Sequence, residues 1–206
     1  MANNKNKIKF GLKNVHYAVV TETTDDAGKT TSTYGEVKAW PGAVSISLDP
    51  NGDSNNFYAD DIVYAVLSSN TGYEGDFESA IMPDDVLTSV LGQKIVNGVL
   101  VESSNDKQNY IALMFEIDGD VKARRFVLYR CMIKRPALSS QTREDSTEAV
   151  TDTTTITVTP RPDINIIDGE EYQLTKASTM PDTDKAVYDS WYENVWVPSE
   201  TPTPEG

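Results

Sequence analysis

Across 206 residues the chain carries 32 acidic and 18 basic side chains, a net charge of −14 that argues against a surface built to grip phosphates with clustered cations. Its single cysteine rules out an intrachain disulfide framework, and no run reaches the roughly 18 apolar residues of a membrane-spanning helix. A hydrophobic share of 38% still permits one packed domain, and the wealth of Val, Ile, Thr and Tyr between turn residues makes it mainly β.

The first ten residues, rich in Asn and Lys, read as an extended arm. Residues 15–24 predict a strand ending in the turn Asp25-Asp26-Ala27-Gly28, and residues 33–40 a second one, stopped by Pro41-Gly42. Val44, Ile46 and Leu48 alternate with Ser45, Ser47 and Asp49, the pattern of a half-buried strand. A turn-rich segment follows: Asp49, Pro50, Asn51, Gly52, Asp53, Ser54, Asn55 and Asn56. Strands are then expected over 57–67, with Tyr58, Ile62, Tyr64 and Val66 on one face, and over 73–82.

Pro83 followed by Asp84 and Asp85 opens a short helix, since Pro suits the first turn and carboxylates suit its positive end. Val86, Leu87, Val90 and Leu91 form its apolar stripe, and Gly92 caps it. So short a helix must pack against a sheet. Further strands are predicted over 95–102, 110–118 and 121–135, the last two joined by a hairpin at Asp118-Gly119-Asp120-Val121. A polar loop at 139–149 leads to a threonine-rich strand at 153–159. Residues 183–192 predict a second short helix, and 198–206 are too polar to pack. The organisation expected is an arm at 1–10, a β-rich domain at 11–176 and a C-terminal arm and tail at 177–206.

Chemistry is sparse. His16 is the only histidine, so a Ser-His-Asp or Cys-His arrangement has no second candidate. No Gly-rich phosphate loop, HExxH or paired CxxC occurs. Cys131, inside an apolar run, reads as a small buried thiol. Asp49, Asn51, Asp53, Asn55 and Asp60 have the spacing of a calcium loop, but its sixth position holds Ser54 instead of glycine and strands flank it. Neither catalytic residues nor a cofactor or metal site is expected. Lys122, Arg124, Arg125, Arg130, Lys134 and Arg135 are the one cationic concentration, and they read as partners for acidic groups across a subunit interface.

Four stretches carry a resemblance: KFGLKNVHYAVVT (9–21), PGAVSISLDPNGDSNNFYADDIVYAV (41–66), PDDVLTSVLG (83–92) and ALMFEIDGDVKARRFVLYRCMIKRP (112–136) with the polar SSQTRED beyond it. In order and texture, over residues 9–165, they resemble the major tail protein (tail tube protein) family of long, non-contractile-tailed bacteriophages of Gram-positive bacteria. The resemblance implies a β-sandwich or barrel-like subunit flanked by a helix. It further implies stacked homohexameric rings forming a tube around a tape measure protein, capped by tail terminator and baseplate or distal tail proteins, through which double-stranded DNA passes at genome ejection.

On that expectation the protein is assembled in the host cytoplasm, resides in the virion tail, and is no enzyme. The segment Asp49–Asn56 has the composition of an inter-ring contact, needed for stacking and dispensable for folding. Ring closure would remove exposed strand edges, and lumen-facing carboxylates would keep DNA from sticking. Three other readings remain: the tube of a related non-phage injection system, a β-sandwich binding or decoration module whose aromatic patch would be Trp191, Tyr192 and Trp196, and, last, an acidic glycosidase.

Overall fold

In a computed structural model describing residues 6–52, 54–59, 62–140 and 149–198, the alternating segments become antiparallel strands with two short helices. The tail after residue 198, most of the polar loop (141–148) and residues 1–5 of the arm lie outside the described residues.

Strand β1 (Lys9–Thr24) begins inside the expected arm, because Lys9 and Phe10 already pair with Gly119 and Asp118. Just before it, Asn6 accepts from the backbone N–H groups of Val121 and Lys122 at 3.0 and 2.9 Å. The turn at Asp25–Gly28 leads to β2 (Thr30–Tyr34) and then β3 (Lys38–Ala39), so the strand expected over 33–40 is broken after Tyr34. Next come β4 (Ala43–Asn51), β5 (Ser54–Ala59), β6 (Ile62–Ser68) and β7 (Gly72–Ser79). The single strand expected over 57–67 is thus a hairpin, paired from Ser54 with Ser68 down to Ala59 with Ile62. A period-two pattern looks the same in one long strand as in two short ones.

Helix α1 (Asp84–Ser89) falls where predicted, with Val86, Val90 and Leu91 buried. Gly92, at φ +80°, ends it, and the Gln93 N–H returns to the Leu87 carbonyl at 3.1 Å. Two hairpin strands, β8 (Lys94–Val96) and β9 (Val99–Val101), replace the single strand expected over 95–102. The expected hairpin then appears as β10 (Ile111–Gly119) and β11 (Arg124–Ile133), followed by β12 (Asp152–Val158). Strands β13 (Ile164–Ile167), β14 (Glu170–Gln173) and β15 (Lys176–Ser178) precede α2 (Lys185–Asp189), whose N-cap Asp184 accepts from the Ala186 N–H at 2.7 Å.

The main sheet runs β2-β1-β10-β11-β12-β7-β4, with β3 beside β1 and β15 beside β11. Only three residue pairs join β11 to β12. Side chains of β12, β7 and β4 share a single core with those of β1, β10 and β11. The result is a sandwich-like, mainly β fold. Trp40 fills its centre, edge-on to Phe77 at 5.0 Å and to Tyr17 at 5.9 Å, with α1 and the buried Ile111, Leu113 and Ile156 around them.

A second core covers the other face of β10 and β11. Ala112, Met114, Val127 and Tyr129 pack there against Trp191, Trp196 and Val197. The segment expected to be a terminal arm from 177 onward is therefore, through Val197, part of the folded body. At the sheet's edge, buried Asp163 accepts from Arg161 Nε at 2.7 Å and from Ser32 Oγ at 2.8 Å, tying the start of β13 to β2. Burial opposes ionisation of Asp163, but the bonds from Arg161 and Ser32 outweigh it and hold the carboxyl below its ordinary value.

Candidate functional site

The single thiol and the single histidine are both engaged within the fold. Cys131 is fully buried, its Sγ turned to the Leu128 carbonyl, and burial pushes the thiol up to about 12. His16 bonds through Nδ1 to the Asn14 carbonyl at 2.8 Å, and its ring lies 4.6 Å from that of Tyr192. Among the described residues no group of three or more His, Cys, Asp or Glu side chains is placed to hold a metal ion.

The segment Asp49–Asn56, expected to form an inter-ring loop, is mostly strand. Asp49, Pro50 and Asn51 finish β4, paired with Glu74, Tyr73 and Gly72. Ser54, Asn55 and Asn56 open β5, paired with Ser68, Leu67 and Val66. Only Gly52 and Asp53 lie between, and Asp53 falls outside the described residues, as does Asp60 of the calcium-like spacing. Turn-forming composition lost here to ladder hydrogen bonds supplied by β7 and β6. The element that departs from the main sheet at this point is the whole β5–β6 hairpin.

What the segment does contribute to is a polar face. On β4, β7 and β12 the side chains Ile46, Leu48, Phe77, Ile156 and Val158 turn into the core, so their neighbours in sequence turn out. Strand register sets these outward residues in three rows. Ser45, Glu78 and Thr153 form the first, Ser47, Asp76 and Thr155 the second, and Asp49, Glu74 and Thr157 the third. A column of three carboxylates thus runs along β7, flanked by hydroxyls on both sides, with a fourth carboxylate at Asp49. Rows stand about 7 Å apart.

Glu78 accepts from Thr151 Oγ1 at 2.5 Å and Ser45 Oγ at 3.0 Å, and these two bonds favour the carboxylate and hold its pKa below the ordinary glutamate value. Asp49 stands directly across from Glu74, an arrangement that weakens a sheet. Lys134 approaches Glu74 at 3.7 Å from the rim of this face. Strand β4 is the last in the sheet order, so nine residues of backbone border the face with no further strand hydrogen-bonded to them among the described residues. A bulge at Val44 and the imide of Pro50 only partly blunt that edge.

The cationic run does not form a patch. Arg125 pairs with Glu116 at 2.7 Å, Arg130 with Glu22 at 2.6 Å and Arg135 with Glu102 at 3.1 Å. Arg124 donates to the Thr179 carbonyl, and Lys122 lies 4.1 Å from the centre of the Tyr188 ring. The expectation that these cations serve a neighbouring subunit gives way to partners within the chain. The aromatic patch expected at the C-terminus is likewise spent internally: Trp191 is 3% exposed and stacks on Trp196 at 6.0 Å, while Tyr192 covers His16.

Two features escaped the sequence reading. Hairpins β8–β9 and β13–β14 turn at Asn97-Gly98 and Asp168-Gly169, all four residues at positive φ (52° to 83°), the geometry that such dipeptides favour in two-residue turns. Those dipeptides between apolar runs were the signal that could have found them. The fold is that of a mainly β, sandwich-like protein. No protein-family model and no curated protein matches the chain, leaving the surfaces just described as the guide to its role.

Proposed function

We propose that the chain is a structural subunit that assembles into rings stacked as a tube, the tail tube of a long-tailed bacteriophage or of a related injection apparatus. The observation that carries this reading is the acid-and-hydroxyl face of β4, β7 and β12 on a sheet that ends in an open nine-residue edge. Such a face suits the wall of a DNA conduit, because carboxylates repel phosphate and nothing on it offers a base a stacking surface. Six copies in a ring multiply a charge of −14 per chain. The open edge suits ring closure, where a neighbour's strand would complete the ladder.

In this reading the β5–β6 hairpin, carrying Ser54, Asn55 and Asn56 at its base, is the element that reaches the next ring. Deleting all of residues 49–56 would cut the β4–β7 ladder, so the stacking test belongs to the hairpin beyond it. Tape measure, tail terminator and baseplate proteins are the partners such a tube requires, and DNA is a passing cargo. A decoration module is disfavoured because Trp191, Trp196 and Tyr192 are used within the fold.

Negative-stain microscopy of the purified protein, dilute and then concentrated, tests the proposal alongside sedimentation velocity. Rings or hollow tubes of uniform width are expected. A strict monomer at every concentration, unresponsive to preformed tube seeds, would overturn it.

A further inference from the structure

The β8–β9 hairpin is apolar and uncovered. Ile95, Val96, Val99, Leu100 and Val101 are 38 to 61% exposed, and the register puts Ile95 with Leu100 on one face and Val96, Val99 and Val101 with Lys94 on the other. The two strands pair only with each other, and Gly98 at the tip meets nothing within 4 Å. A two-stranded hairpin with apolar side chains on both faces is marginal in water and gains most by being covered.

Its charge is one-sided. Lys94 and Lys107 line a groove along the Val96–Val101 face, and neither has an ion-pair partner among the described residues. The acids nearby are engaged, Glu102 and Asp106 both reaching Arg135, at 3.1 and 3.8 Å.

The opposite character belongs to β13–β14. This hairpin also pairs only with itself, and Gly169 at its tip likewise meets nothing within 4 Å. Its residues 164–173 carry Asp168, Glu170 and Glu171 and no cation. Ile164, Ile166 and Glu171 share a face by register, with both isoleucines about half exposed. That face forms one wall of a groove whose other wall is the turn between β1 and β2, where Lys29 is the single cation. None of the three hairpin acids has a basic partner among the described residues.

We propose that the β8–β9 hairpin of one copy docks on the β13–β14 hairpin of the next, joining copies of this chain head to tail. Val96, Val99 and Val101 meet Ile164 and Ile166, and Lys94 and Lys107 meet Asp168, Glu170 and Glu171. Because the two surfaces differ, the contact is heterologous and propagates, closing into a ring or running on as a filament. The inference rests on the reading that the chain self-assembles and names one contact that would do it.

Charge reversal tests it. One variant carries K94E and K107E, a second carries D168K, E170K and E171K, and a third combines all five. Every site is exposed, and thermal melts should confirm that each variant folds. Sedimentation velocity over a concentration series should show each partial set raising the concentration needed for association on the order of tenfold or more. A one-to-one mixture of the first two should restore association, since every junction between unlike copies then joins opposite charges. The five-fold variant should associate alone, and the second variant, whose β8–β9 hairpin is unchanged, should not, whereas a β8–β9 contact with its own twin would leave that variant at wild-type strength.

Association of either partial set at wild-type strength would overturn the hairpin contact, and if those variants still form tubes the tube reading survives its loss. A wild-type chain that stays monomeric in the same series, at low and high salt, would overturn the contact as well. Association of the wild type and failure of the mixture would show that the charges act elsewhere, again against the proposal.

Discussion

Replacing Trp191 by alanine tests whether the C-terminal segment is part of the fold. At 3% exposure nearly the whole indole is removed from water, and it lies over Met114, Val127 and Tyr129 on the outer face of β10 and β11. A tryptophan buries about 200 Å², which at about 25 cal/mol/Å² is about 5 kcal/mol. The alanine methyl and the compactness of the unfolded chain return part of that. About 3 to 4 kcal/mol should therefore be lost, within the range seen when large aromatics are truncated in cores. For a chain this long that corresponds to a fall in Tm of about 10 °C. Urea unfolding followed by far-ultraviolet circular dichroism measures it. A loss under about 1 kcal/mol would refute the reasoning, because the segment would then hang from the sheet instead of closing it.

Three further outcomes are expected. Asp163→Asn leaves the Arg161 guanidinium buried without its counter-charge, at a cost of about 3 to 5 kcal/mol by denaturant titration. Because the folded carboxyl is held below its ordinary value of 3.8, its contribution is fully present above that value and fades as pH falls through the lower folded one. The variant should therefore lose stability less steeply in acid, and an unchanged acid limb would count against the pair. Cys131, buried and with its thiol pushed up to about 12, should resist thiol reagents at pH 8 until the chain unfolds. Labelling of the native protein at the rate of a free thiol would contradict that burial. Reversing the column on β7 with E74K, D76K and E78K should yield tubes that carry double-stranded DNA down in a pelleting assay at low salt and release it at high salt, while wild-type tubes leave it in solution. Equal DNA in both pellets would remove the face from the lumen.

The local pattern of the chain carried much of the fold. Val44, Ile46 and Leu48 on β4, the stripe of α1 and the β10–β11 hairpin were legible because each is a periodicity within one element. Partnership between distant segments was not. Ala112 and Met114 sit in the alternation where a solvent-facing side chain belongs, and only the arrival of Trp191 and Trp196 from the far end explains their burial. Asp49 to Asn51 have turn-forming composition, yet β7 supplies them with a ladder. The rows of the polar face were invisible for the same reason, since each draws one residue from three strands, although the alternation of Glu74, Asp76 and Glu78 along β7 was itself a local signal. The two small hairpins are a different case. Asn97-Gly98 and Asp168-Gly169 were local signals, masked by flanking runs of three or four residues that read as one strand or as none.

Strand β11 is the residue-level hinge on which this architecture turns. Its first half pairs with β15, its second half with β12, and β10 runs along its other edge. Neither layer of the sandwich can melt while the other keeps its full complement of hydrogen bonds. The body should therefore open as one cooperative unit, with the amides of Leu113, Val127 and Leu128 exchanging only through global unfolding. A wall made of such bricks yields at the joints between them before it yields within one.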